Sequence, residues 1–84
     1  MISISTAQTL GATLRAARKR MGLTQPELAL AAGVGVRFIV ELESGKPTVR
    51  LELVLRVIDA LGGSLTLTGL DAEGAQVREA PHGA

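Results

Sequence analysis

Residues 24–43 read TQPELALAAGVGVRFIVELE, and the reading of this stretch decides the fold. Thr24 can accept a hydrogen bond at a helix N-cap, and Glu27, three residues on, completes a T-x-x-E capping box. Pro26 lies in the first turn, where its missing N–H costs nothing. Leu28, Ala29 and Ala32 form one inward stripe, and the small alanines allow a second helix to cross closely. The turn falls on Gly33-Val34: glycine supplies the positive φ that a helix C-terminus needs, and valine fills the angle between the helices. In the second helix Ile39 and Leu42 face inward, while Val36, Arg37, Val40 and Glu41 face out. A capped helix, a glycine turn and a second amphipathic helix within twenty residues make a helix-turn-helix.

Outward from this stretch, the chain supplies further helices. Ser5 or Thr6 caps a first helix running to about Met21, with Gln8 placed to close a box on Ser5. Leu10, Leu14, Ala17 and Met21 form its expected buried stripe, and Gly22 ends it. Arg15, Lys19 and Arg20 cluster near its C-terminus, where cations offset the helix dipole, and read as a solvated face. After the core motif, SGKPT (44–48) is a loop with Thr48 as the next N-cap. A fourth helix is expected from about Val49 to Ala60, with Leu51, Val54, Leu55, Ile58 and Leu61 on one wide apolar face. Then Ser64-Leu65-Thr66-Leu67-Thr68 alternates strictly and predicts a strand of five residues. Ile2 and Ile4 alternate with Ser3 and Ser5 in a short arm, the single internal candidate for its partner. The segments are therefore an arm (1–5), a helix-turn-helix domain (6–62), a dimerisation strand (63–69) and a flexible tail (70–84).

Composition bounds the function. Eighty-four residues make one domain, marginal in size unless a partner surface helps bury its apolar residues. With a single aromatic, Phe38, the core must be aliphatic, and with no cysteine, disulfides and Cys-ligated zinc are excluded. Phe38, beside inward Ile39, reads as a packing residue. No basic-then-apolar leader opens the chain and no apolar run spans a bilayer, so a cytoplasmic protein with no membrane association is expected. Net charge is +1, but residues 1–50 hold seven cations against three anions and residues 51–84 two against five. A basic half and an acidic half suit one face on phosphates and another on protein or solvent. His82 stands alone in the tail, and neither Gly33-x-Gly35 nor Gly62-Gly63 follows a strand as a nucleotide loop would. The reading is a non-enzyme with no cofactor and no metal.

Carried by LRAARKRMGLTQPELA (14–29), AGVG (32–35) and IVELESGK (39–46), the chain resembles the phage-repressor and Cro-type (XRE) helix-turn-helix family. Residues 37–67 look most like the HipB-like antitoxins. The resemblance implies an all-α, compact four- or five-helix repressor-like domain whose C-terminal β-strand pairs across a homodimer. It implies a transcriptional repressor of double-stranded DNA, the antitoxin of a HipA-like serine/threonine kinase toxin and autoregulator of its operon. By the same carry-over, Thr24, Gln25, Ser44, Lys46 and Thr48 contact backbone phosphates, and Val36, Arg37, Val40 and Glu41 read bases. Arg18 and Glu43 fall where the family commonly has a partly buried ion pair. Gly35, Val36 and Val40 depart from a pattern that is usually polar there, leaving hydrogen-bonded readout to Arg37 almost alone. A stand-alone regulator, and a protein-interaction module that does not bind DNA, stay open as alternatives. Pairing of Ser64–Thr68 about a two-fold axis, with Leu65 and Leu67 over Leu51, Leu55 and Ile58, would demand a palindromic operator.

Overall fold

A computed structural model describes residues 2–70, and four α-helices make up its regular structure: α1 (Ala7–Arg20), α2 (Gln25–Ala32), α3 (Val36–Glu43) and α4 (Leu51–Ala60). The fold is all-α, with no strand among the described residues. From Asp71 onward the tail expected from sequence lies outside the described residues.

Each helix begins and ends for a local reason. Thr6, not Ser5, caps α1: its hydroxyl accepts from Thr9 N–H at 3.0 Å, so the Ser5–Gln8 box does not form. The Thr24 box on α2 is complete, with Thr24 Oγ1 accepting from Glu27 N–H and Glu27 Oε1 accepting from Thr24 N–H at 2.8 Å. Gly33 stops α2 at φ 72° and ψ 35°, left-handed geometry that a side chain would strain. The Arg56 guanidinium, reaching across from α4, donates to the Gly33 carbonyl at 3.3 Å and satisfies one orphan acceptor of that helix end. For α4 the N-cap is Arg50, with no side-chain hydrogen bond, and Thr48 is exposed two residues upstream, too early to cap.

α3 packs against both α1 and α2, and α4 packs against α2. The core at their meeting point is Leu14, Leu28, Ala29, Ala32, Ile39, Leu42, Val54, Val57 and Ile58. Three sequence expectations change here. Met21 is exposed, because α1 ends at Arg20 and nothing covers the next turn. The buried line of α1 is Gly11, Leu14 and Arg18 instead. On α4, Leu51 is 64% and Leu55 43% exposed while Val57 is fully buried, because α2 covers only one half of a wide apolar face. Finally, Ser64–Thr68 is exposed and forms no ladder with any other described residue. Its one internal candidate partner is elsewhere: Ile2 lies over α1 in a shallow groove with Thr9, Ala12, Thr13 and Ala16.

α1 meets the end of α3 backbone to backbone. A Cβ on Gly11 would run into the carbonyls of Leu42 and Glu43, and one on Gly45 would sit 2.9 Å from Gln8 Cγ. Gly45 also takes φ 89° as α3 terminates, returning the chain so that Lys46 N–H donates to Glu41 O at 3.1 Å. These two glycines fix where α3 stands.

Candidate nucleic-acid interface

The scaffold beneath the site is one buried ion pair. Arg18 Nε donates to Glu43 Oε2 at 2.7 Å and an Nη to Oε1 at 2.9 Å, a two-pronged contact with side chains only 8% and 4% exposed. The other Nη donates to the Leu23 carbonyl at 2.7 Å, so α1, the α1–α2 turn and α3 meet on one guanidinium. Gln25 Nε2 adds a bond to Glu43 Oε1 at 3.1 Å. Burial would push the Glu43 carboxyl up; hydrogen bonds from Arg18 and Gln25, with the charges of Arg18 and Arg15, outweigh it and hold it below the usual range. Arg18, hydrogen-bonded to that carboxylate, is held more firmly protonated than a free arginine. All the charges here are satisfied, so the pair orients helices rather than awaiting a ligand.

Along the outward side of α3, Val36, Arg37 and Val40 stand exposed while Ile39 and Leu42 are buried. Arg37 is 88% exposed and Glu41 30%; Arg37 Nε lies 3.3 Å from Glu41 Oε2. Lys46 Nζ lies 3.4 Å from the other oxygen, Glu41 Oε1. Phe38 packs against the core and takes no part in this face.

Flanking that face is a shallow groove lined by Arg15, Gln25, Val40, Glu43 and Ser44. Two residues assigned to phosphate at the N-terminus of α2 meet it with a reduced set of donors. The Thr24 N–H is taken by Glu27, the Glu27 N–H by Thr24, and Pro26 has none. What remains is the N–H of Gln25, its second amide hydrogen and the Thr24 hydroxyl. Ser44 borders the groove, but its hydroxyl donates to Glu41 O at 2.9 Å and its N–H to Val40 O at 3.1 Å. Lys46 sits beside Glu41, and Thr48 is exposed further along the loop. The geometry thus brings Gln25, Ser44 and Val40 together, adds Lys46 through Glu41, and leaves Thr48 apart. Sequence reasoning missed Arg15: it was assigned to the helix dipole, although it stands one turn before Arg18 on the side facing α3. Among the described residues, no cluster of side chains could hold a metal. No described helix is long and apolar enough to cross a membrane.

An exposed, mixed apolar and basic helix face on a buried, ion-paired tripod of helices defines a helix-turn-helix regulator. The helix-turn-helix family model matches residues 14–67, and the chain belongs to that family, in its XRE-type branch. An uncharacterised HTH-type transcriptional regulator, y4mF of Sinorhizobium fredii, is 50% identical over 64 residues, covering 76% of this chain and 84% of the relative. Among solved structures, the HipA-HipB-O2-O3 complex contains a chain that superposes with a TM-score of 0.77 at 24% identity, covering 84% of this chain and all of that one. The clp gene regulator ClgR of Corynebacterium glutamicum gives 0.65 at 39% identity, covering 76% and 82%.

Proposed function

We propose that this chain is a sequence-specific, non-enzymatic DNA-binding repressor that works in the cytoplasm as a homodimer on a near-palindromic operator. The observation that carries the reading is the outward face of α3, where Val36, Arg37 and Val40 are exposed on a helix held at its C-terminal end by the Arg18–Glu43 pair. Arg37 is the base-reading group, bidentate to a guanine, with the valines against thymine methyls. Gln25, Lys46 and Arg15 contact backbone phosphates and set register.

Dimerisation is supported by what the single chain leaves uncovered. Leu51, Leu55, Leu65 and Leu67 are all exposed, and an unpaired run of alternating residues presents free N–H and C=O groups. An antiparallel ribbon of two Ser64–Thr68 segments satisfies those groups and brings Leu65 and Leu67 over α4. Thr66→Pro removes a ladder donor at the centre of that ribbon. Sedimentation should then show monomer, and retardation of DNA from the chain's own upstream region should fall to the level of random DNA. A wild-type chain that sediments as a monomer at tens of micromolar overturns the dimer; one that retards neither DNA overturns the repressor.

A second reading, antitoxin to a HipA-like kinase, is supported by the resemblance of residues 37–67 to HipB-like antitoxins. The higher identity to ClgR supports a stand-alone regulator. Co-expression with the product of the adjacent gene and pull-down separates the two.

A further inference from the structure

Glu41 has an arrangement that base reading does not require. Its two carboxylate oxygens each hold one cation: Oε2 faces Arg37 Nε at 3.3 Å, and Oε1 faces Lys46 Nζ at 3.4 Å. These are the group assigned to bases and a group assigned to phosphate. The main chain of Glu41 is tied to the same loop. Glu41 O accepts the Ser44 hydroxyl at 2.9 Å and the Lys46 N–H at 3.1 Å, so the helix end that supplies Lys46 is tied to the residue that neutralises it.

We propose that Glu41 is a specificity-determining counter-charge, an intramolecular competitor that keeps Arg37 and Lys46 from binding DNA without regard to sequence. This rests on the DNA-binding reading above and deepens it. In the free protein both pairs are solvent-exposed and contribute little to stability. At a DNA surface their effect changes sign. Random DNA offers Arg37 only phosphates, and a carboxylate brought among phosphates repels them. A guanine offers the guanidinium two acceptors in a fork, O6 and N7, that match its geometry better than the single Nε contact to Glu41. Arg37 therefore leaves Glu41 for the correct base and stays with it over a wrong one. Glu41 weakens all binding, and weakens the wrong sites most, which is discrimination by a built-in repulsive element.

The test compares wild type and Glu41→Gln on two duplexes of equal length. One is the tightest-binding duplex selected from a randomised pool with the wild-type protein; the other is a scrambled version of it. Titrations are run across a series of salt concentrations. Glu41→Gln keeps shape and one acceptor, and an unchanged thermal midpoint confirms that folding is intact. Affinity for the scrambled duplex should rise about 3- to 10-fold and the selected-to-scrambled ratio should fall by a similar factor. The slope of log affinity against log salt should steepen by up to ~1 as Lys46 is released to a phosphate. With Arg37→Ala already present, Glu41→Gln should reduce the ratio no further, because the group it was holding is gone. Loss of affinity for the selected duplex alone would instead make Glu41 a direct reader of a base and overturn the proposal. An unchanged ratio would overturn it as well. A wild-type protein that binds neither duplex at low salt removes the DNA-binding reading itself, an outcome distinct from both.

Discussion

Glu43 and Glu41 sit two residues apart on α3, about 200° around the helix from each other. The helix turns one into the molecule and the other toward solvent. Glu43 is 4% exposed and meets a two-pronged arginine; Glu41 is 30% exposed and meets two side chains whose cationic groups also face water. The same chemical group therefore holds helices together in one place and governs surface charge in the other. Removing a buried partner strands a charge where water cannot reach it, whereas removing an exposed one returns both groups to solvent.

That contrast breaks most readily at Arg18. Arg18→Ala leaves Glu43 buried and unpaired, and chemical denaturation should show a loss of ~3–5 kcal/mol. A loss below ~1 kcal/mol would put Glu43 in the same class as Glu41. Gly11→Ala sharpens the same region without touching a charge. Its new methyl collides with the Leu42 and Glu43 carbonyls, and a destabilisation of ~1–3 kcal/mol is expected from overpacking. On the outer face, Arg37→Ala should leave the unfolding free energy within ~0.5 kcal/mol of wild type while removing ~1–3 kcal/mol of discrimination between operator and random DNA. If it weakens random DNA equally, Arg37 is a phosphate contact.

The smallest effect is a pH dependence. Glu43's carboxyl is held below its ordinary value in the folded chain, so the unfolded chain takes up its proton first on acidification. The pair's contribution is fully present above the ordinary glutamate value of ~4.3 and is lost as pH falls through the lowered one. Glu43→Gln should be less stable at neutral pH and lose less on acidification. A titration of stability from pH 6 to pH 2.5 that runs parallel for wild type and variant would contradict this.

Much of the fold was legible because its signals are local. A T-x-x-E box and a glycine at a left-handed position are each decided within one turn of helix, and the Thr24 box and the Gly33 stop stand where the residues put them. What hydrophobic spacing missed was which face of each helix had a neighbour. The buried line of α1 is Gly11, Leu14 and Arg18, and two of those three are not hydrophobic, so a count of apolar residues rotates the helix toward Met21. Leu51 and Leu55 misled in the opposite sense: they are apolar, but the single chain provides nothing to cover them. For the site, exposure of Val36, Arg37 and Val40 followed from the positions of Ile39 and Leu42. The dual hold of Glu41 on Arg37 and Lys46 could not be read, because it depends on how the chain returns after Gly45.

The glycine contact between α1 and the end of α3 carries a consequence for how such a protein can change. α3 is positioned by its last residues, Leu42 and Glu43, and by Gly45 just beyond, against Gly11, Gln8 and Arg18. Val36 and Arg37 open the helix at its other end and are exposed, while Val40 borders that joint beside Glu43. On the proposed function, substitutions at Val36 and Arg37 should alter what is recognised without loosening that joint. The helix is in effect a cartridge seated by its buried face, Ile39 and Leu42, and clamped at its C-terminal end. On the proposed function, exchanging its outward residues in the laboratory should redirect the protein to new DNA while those contacts are left untouched.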